Sequence, residues 1–337
     1  MMRALAVHPT LGTRVRRIAT VAVVAAALWS PAPGQFGADP GAFRVVSVGD
    51  GIHLFQPVSY ANHSNSVVFE RTDGLLVVDA QPSPRAARDL LAAIRRNTAG
   101  TIRYLVFTHP HADASGGASA FPADVLRIAS RGYRDAVADP EFGYAAESRL
   151  RRGYPEEGES VIRPGSTLVL FGRTRLEDSR NPVILLPVAH AHSPGDLLVF
   201  QPEEGVLAVG DLAFIDGAPY AADARISGWI DQLNHIMTVA PRRVLALRGA
   251  PVEVGQVRTQ RNALEWLQKR VDEALADASP EDFEDEETQN ETIRGVVLDS
   301  PGFDRHFDRR ASAEILQGLI DKVIEETREQ RRRLGLE

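Results

Sequence analysis

Apolar residues along the chain fall in short runs separated by turn residues. Phe43 to Val58 and Asn65 to Ala80 are rich in strand-forming residues. The second run is split by Thr72-Asp73-Gly74, and Asp-Gly between apolar runs predicts two strands joined by a tight hairpin. Ser83-Pro84 places a capping residue and a first-turn proline ahead of Leu90, Leu91 and Ile94, whose spacing gives a helix one apolar stripe. Ile102 to Phe107 and Val125 to Ala129 read as strands, and the charged stretch from Arg131 to about Arg152 as a surface helix. The plan then repeats. Ser166 to Phe171, Val183 to Val188, Leu197 to Gln201, Val206 to Val209 and Val244 to Leu247 read as strands, and Gly228 to Val239 as a helix. This alternation, with several hairpins, predicts an α/β fold of two packed sheets covered by helices on their outer faces.

From Gln256 onward the pattern is helical, with Ser279-Pro280-Glu281-Asp282 reading as a helix start. Ile315, Leu316, Leu319, Ile320, Val323 and Ile324 form an apolar stripe on the last helix, before the charged tail Arg328 to Arg333. Such a stripe suits either the chain's own core or a homodimer contact.

The other end of the chain carries an address. Arg14, Arg16 and Arg17 precede an unbroken apolar run from Ile18 to Trp29, followed by Ser30-Pro31-Ala32-Pro33-Gly34. The run is shorter than the roughly 20 apolar residues a membrane-crossing helix needs, so it reads as a signal peptide, cut after Ala32 or Ala38, rather than an uncleaved anchor. The expected location is periplasmic or secreted, with no integral membrane association after processing. The domain reading is a leader over 1–38, a sandwich domain over 39–254 and a helical extension over 255–337 packed on it. A net charge of −7 argues against a nucleic-acid partner, which needs clustered Lys and Arg. The chain has no cysteine, so any metal is held by His, Asp or Glu.

The chemistry concentrates in Thr108-His109-Pro110-His111-Ala112-Asp113-Ala114-Ser115-Gly116-Gly117, directly after a predicted strand. In an extended segment residues two apart share a side, so His109 and His111 offer two imidazoles to one ion and Asp113 continues that side. The glycines allow tight turning behind them. Ala191-His192-Ser193-Pro194-Gly195-Asp196 and Ala208-Val209-Gly210-Asp211 follow two further strands. Ser115 is not read as a serine nucleophile, because no Gly-x-Ser-x-Gly elbow surrounds it. His190 is read as structural beside His192, and His53, His63, His235 and His306 are isolated.

In order and context these motifs resemble those of the metallo-β-lactamase superfamily: Thr-His-x-His-x-Asp-His-x-Gly-Gly, then His-Thr-Pro-Gly, then Gly-Asp, then a late His. The resemblance covers roughly residues 43 to 252. It implies a four-layer αββα sandwich, here with a C-terminal helical extension, and a metal site at one edge. By position it makes His109, His111 and His192 ligands of a first metal, Asp113 a ligand of a second, and Asp211 the carboxylate bridging both. Two expected ligands are replaced: Ala114 stands where His is usual, and Arg248, in Leu247-Arg248-Gly249-Ala250-Pro251, where the late His would be. Pro219-Tyr220 and Gly228-Trp229 match a passage of the family's smaller exported hydrolases, with Tyr220 at the pocket or buried.

Asp113 and Asp211 in one cleft repel unless a cation lies between them. Arg248 is expected to be that cation, its guanidinium in the space of the second metal. The expected function is a zinc-dependent hydrolase with one firmly held zinc, acting on a small ester, lactone, amide or thioester, with Asp113 and Arg248 as its catalytic side chains. The alternatives are an impaired exported binding protein on the same scaffold, and a mononuclear iron oxygenase using two histidines and Asp211.

Overall fold

In a computed structural model, which describes residues 39–61, 63–139, 167–214, 219–308 and 312–336, the chain opens with four antiparallel strands. They are β1 (Phe43–Gly49), β2 (Ile52–Pro57), β3 (Ser66–Arg71) and β4 (Gly74–Val78), with Arg71 paired to Gly74 across the expected hairpin. Helix α1 (Pro84–Asn97) follows, capped by the Ser83 side chain on the Ala86 N–H, and crosses to β5 (Ile102–Val106), parallel to β4. After the short helix α2 (Ala112–Ser115) come β6 (Leu126–Ser130), α3 (Arg131–Ala138) and β7 (Thr167–Leu170), both strands parallel to their predecessors. The remainder of the helix expected to reach about Arg152, and the leader, lie outside the described residues.

The second sheet holds β8 (Thr174–Leu176), β9 (Val183–Pro187), β10 (Leu197–Gln201), β11 (Val206–Gly210) and β12 (Arg243–Ala246), in the order β12-β11-β10-β9-β8. Only β11 and β12 run parallel, joined through helix α4 (Ile226–Val239). Strand β8 escapes the sequence pattern because three residues at a sheet edge, none fully buried, leave no alternation to read.

Burial explains why the strands read as continuous apolar runs. Leu76 and Val78 of β4 face the second sheet with Val67, Phe69, Leu185, Val199 and Ala208, while Leu75 and Val77 face α1 with Leu90 and Ile94. On the far side, Leu198, Leu207 and Val209 meet Trp229 and Leu233 of α4 and the C-terminal helices. The result is the αββα order of layers, described residues falling in one compact unit.

The C-terminal helices are α5 (Val254–Asp277), α6 (Glu286–Leu298), α7 (Phe303–His306) and α8 (Ala313–Leu334). Ser279-Pro280-Glu281-Asp282 forms a single 3-10 turn rather than the start of α6; that start lies at Asp285, whose carboxylate accepts the Thr288 N–H. The α8 stripe is consumed internally: Leu316, Leu319, Ile320, Val323 and Ile324 join the core beneath the second sheet. Ile315, the remaining member of the stripe, is partly buried and packs against the same core. Among the described residues no helix is long and apolar enough to cross a membrane.

Candidate metal centre

The site residues leave the ends of β5, β9, β11 and β12 on one edge of the sandwich. Thr108, just past β5, is the anchor. Its N–H and hydroxyl bond the buried Asp79 carboxyl at 2.8 to 3.0 Å, its carbonyl accepts the Leu197 N–H from the other sheet at 2.7 Å, and its Oγ1 lies 3.0 Å from His109 Nδ1. Asp79 itself has φ of 66°, a left-handed conformation that costs energy for a residue with a side chain and turns its carboxyl back beneath the loop. Burial pushes Asp79 up to about 8, against the Thr108 hydrogen bonds that favour its charge. Gly210 comes so close that a Cβ there would lie 2.4 Å from Thr108 Oγ1, at a φ of +56°.

The extended run behind the two-apart reasoning ends at His111, whose backbone caps α2. Asp113 is therefore delivered by a helical turn, four residues after His109, rather than by a continued strand. Gly116 and Gly117 do not supply unusual backbone angles, since their φ values are −61° and −89°. Their Cβ positions would sit 2.2 Å from the Pro82 and Ala80 carbonyl oxygens, so what they provide is close packing against the loop before α1.

His109, His111 and His192 are 1 to 2% exposed, and their rings meet edge to face at 4.8 to 5.1 Å between centroids. His111 Nδ1 and His192 Nε2 face each other at 3.0 Å. His111 Nε2 donates to Asp223 Oδ2 at 3.1 Å, which leaves its Nδ1 lone pair for the site. His192 is held by a tight loop in which the Ser193 N–H and hydroxyl both donate to Asp196, at 2.9 and 2.7 Å. Trp229 lies 5.2 Å from the His192 ring, its indole N–H bonded to the Leu212 carbonyl. Burial holds His109 below its ordinary pKa and His192 well below. Neutral imidazole is the metal-binding form.

Beside the imidazoles sit two buried carboxylates. Asp113 Oδ1 lies 3.6 Å from His109 Nε2, and Asp211 Oδ2 lies 4.0 Å from both His109 Nε2 and His192 Nε2. Burial would raise Asp113, but His109, Arg248 and His111 outweigh it and hold the carboxyl far below the ordinary range. Asp211 is pushed the other way, by burial and then by the charge of Asp113. Two groups of ligand atoms are close enough to share an ion, His109 with His111 and His192, and His109 with Asp113 and Asp211. The buried His109 Nε2 and Asp113 Oδ1 have no hydrogen-bond partner. Buried orphans of this kind are costly unless something bonds them, and a divalent cation fits these donors.

Arg248 follows β12 and enters the site as expected, with one qualification. Its Nη2 donates to Asp113 Oδ2 at 3.2 Å, and no bond to Asp211 is formed. Its backbone is clamped from across the sandwich: Asn65 Nδ2 donates to the Ala246 and Gly249 carbonyls at 2.9 and 2.8 Å, and the Asn65 N–H to Leu247 O at 2.8 Å. Tyr60 accepts the Gly249 N–H at 2.9 Å. Sequence reasoning missed Asp79, Asp223, Tyr60 and Asn65. Only Asp79 carried a signal, as an acid ending an apolar strand.

Four further histidines are engaged locally, and His235 is exposed. His190 is exposed and donates to the Asp223 carbonyl, His53 pairs with Glu70, His63 with Asp89, and His306 stacks on Trp266. Tyr220 is half-buried with its ring 6.1 Å from His111, and Phe214 stands 5.8 Å from His192, so aromatic side chains line one side of the site.

Comparison with known proteins agrees with this arrangement. The family model of the metallo-beta-lactamase superfamily matches residues 60–278. Among solved structures, a double mutant of the sec-alkyl sulfatase PisA1 aligns at 15% identity with a TM-score of 0.65, over 88% of this chain and 51% of that one. The stereoselective inverting sec-alkylsulfatase Pisa1 from Pseudomonas sp. gives 15% identity and 0.65, over 84% and 50%. A metallo-beta-lactamase from Pontibacter korlensis gives 15% and 0.50, over 66% and 99%. The chain thus spans about half the length of the two sulfatases, and at this identity the likeness is one of fold.

Proposed function

This chain belongs to the metallo-β-lactamase superfamily, and we propose that it is a zinc-dependent hydrolase in which one ion, held by His109, His111 and His192 with Asp211 beside them, serves a site whose second half is occupied by Arg248. The observation that carries this reading is the contrast between the two halves. Three buried imidazoles converge on one side, and on the other an ion pair joins Asp113 to Arg248. When held by these three imidazoles, a zinc ion would supply Lewis acidity sufficient to make water a nucleophile near neutrality.

The chain's own groups do the rest. Asp113 is buried and ionised, with Oδ1 free of hydrogen bonds, so it is placed to accept a hydrogen bond from the attacking oxygen and orient it. Arg248 fixes the other oxygen of Asp113 and stabilises negative charge developing on a substrate carbonyl. Asp223 holds His111 in the tautomer that can ligate. The substrate is a small ester, lactone, amide or thioester, met in the periplasm or outside the cell if the N-terminal run acts as a signal peptide.

The test is hydrolysis of p-nitrophenyl acetate, a γ-lactone, a thioester, a β-lactam and a secondary alkyl sulfate by chelator-stripped protein before and after zinc is restored. Zinc-dependent turnover of a carbonyl substrate is expected, falling by about 10²- to 10⁴-fold in Asp113→Asn with the metal retained. Unchanged turnover in that variant would remove Asp113 from the mechanism, and turnover of the sulfate alone would move the reaction class. The replaced Ala114 position supports a second reading, a non-catalytic binding protein, which bound zinc without any turnover would favour.

A further inference from the structure

We propose that Arg248 is also a specificity-determining residue, and that the substrate carries an oxyanion group, a carboxylate or a sulfate, next to the bond that is cleaved. This rests on the hydrolase reading above and names the class of substrate that the same site selects. The first observation is how little of the guanidinium is used. Arginine has five N–H donors in a planar fork, and among the described residues the only polar partner of the Arg248 side chain is Asp113 Oδ2, reached through Nη2. A single N–H suffices to hold that carboxylate. The rest of the fork makes no bond to a described residue, and the side chain keeps 32% of its surface exposed while Asp113 keeps 9%.

The second observation is that the fork is presented from a fixed platform. Surface arginines lose rotamer freedom when they bind, but here the backbone on both sides of Arg248 is already tied down by Asn65 and by the Tyr60 hydroxyl, and the Leu247 N–H donates to Gly210 O beside Asp211. The pairing with Asp113 fixes the far end. What remains is a rigid, half-exposed set of donors at the mouth of a buried site, with a geometry that matches an oxyanion.

Asp113 faces the same guanidinium, and its charge is balanced through Nη2. Asp211 is buried on the far side, 4.0 Å from His109 Nε2 and from His192 Nε2, and makes no bond to Arg248. An incoming anion thus meets an Arg248 whose single protein partner, among the described residues, engages one of its N–H donors.

The experiment uses a matched pair, the p-nitrophenyl monoester of succinic acid and its methyl ester, differing in one carboxylate. Zinc-loaded wild type is expected to prefer the acid by kcat/KM, and Arg248→Gln to reduce that preference by about ten- to a hundredfold, the worth of one charge-assisted hydrogen bond. Arg248→Lys should keep part of it, and Tyr60→Phe, which loosens the platform and leaves the guanidinium, should erode it with a rise in KM. An unchanged ratio in Arg248→Gln, with zinc content equal to wild type, overturns the proposal.

Calorimetry with succinate and with inorganic sulfate gives a readout free of turnover and separates the two oxyanions. Binding that disappears in Arg248→Gln supports the inference even if neither ester is hydrolysed, an outcome that would count against the hydrolase reading alone. Binding equal in both proteins overturns it.

Discussion

Replacing Asn65 by alanine tests the platform beneath Arg248. Asn65 is 3% exposed, and its side-chain amide supplies a donor to each of two carbonyl oxygens, Ala246 O and Gly249 O. Truncation leaves both carbonyls in a place that water does not reach freely. Stranding a buried acceptor costs about 1 to 3 kcal/mol. Gly249 O still faces the Tyr60 hydroxyl at 3.2 Å, so its loss falls at the lower end. The Asn65 N–H keeps its bond to Leu247 O, which limits movement of the loop. Asn65→Ala should therefore cost about 2 to 4 kcal/mol. Urea unfolding followed by far-ultraviolet circular dichroism reads this directly, with the slope compared to wild type so that a change in compactness is not mistaken for a change in stability. A loss under about 0.5 kcal/mol, the range of a neutral surface substitution, would refute the reasoning that these two bonds hold the Arg248 loop.

Removing the carboxylate behind His111 with Asp223→Ala should weaken zinc binding by about 10- to 100-fold, read by competition with a chromophoric chelator, while the circular dichroism spectrum stays that of the wild type. Equal affinity would mean that Asp223 does not orient the ligand. Asp79 has its pKa raised by burial to about 8 in the fold, so between its unfolded value near 3.8 and about 8 the native state binds the extra proton and stability declines as pH rises. In metal-free protein the unfolding free energy of wild type relative to Asp79→Asn should be level below pH 4 and fall across that window. A difference that is flat from pH 4 to pH 8, or that rises, would contradict a neutral buried carboxyl.

The cluster of His109, His111, His192 and Asp211 was legible because each sits one to five residues past the end of a strand, close behind an apolar run. Strand ends can be read from one sequence, and their order carries the family's motif. The parts that were not legible are those made by contacts between distant segments. Asn65 and Gly249 are 184 positions apart, and nothing local distinguishes Asn65 from any polar residue at a strand start. Asp223 lies in a loop without periodicity, and its partner His111 is 112 positions away. The α8 stripe was ambiguous for the same reason: an amphipathic pattern shows that a face is covered, and only the packing of α5 and α6 against it shows by what. The helical turn at Asp113 was hidden because two-residue spacing of histidines fits a strand end, and one turn of helix leaves no period to detect.

Whether one metal ion fills a site whose second half Arg248 takes is read most directly from metal content per polypeptide, by elemental analysis of protein purified without a metal-chelating resin. One equivalent of zinc is expected in wild type, none in His109→Ala and His192→Ala, and a second equivalent when Ala114→His and Arg248→His are combined. Two equivalents in wild type, or none after incubation with zinc, would contradict it.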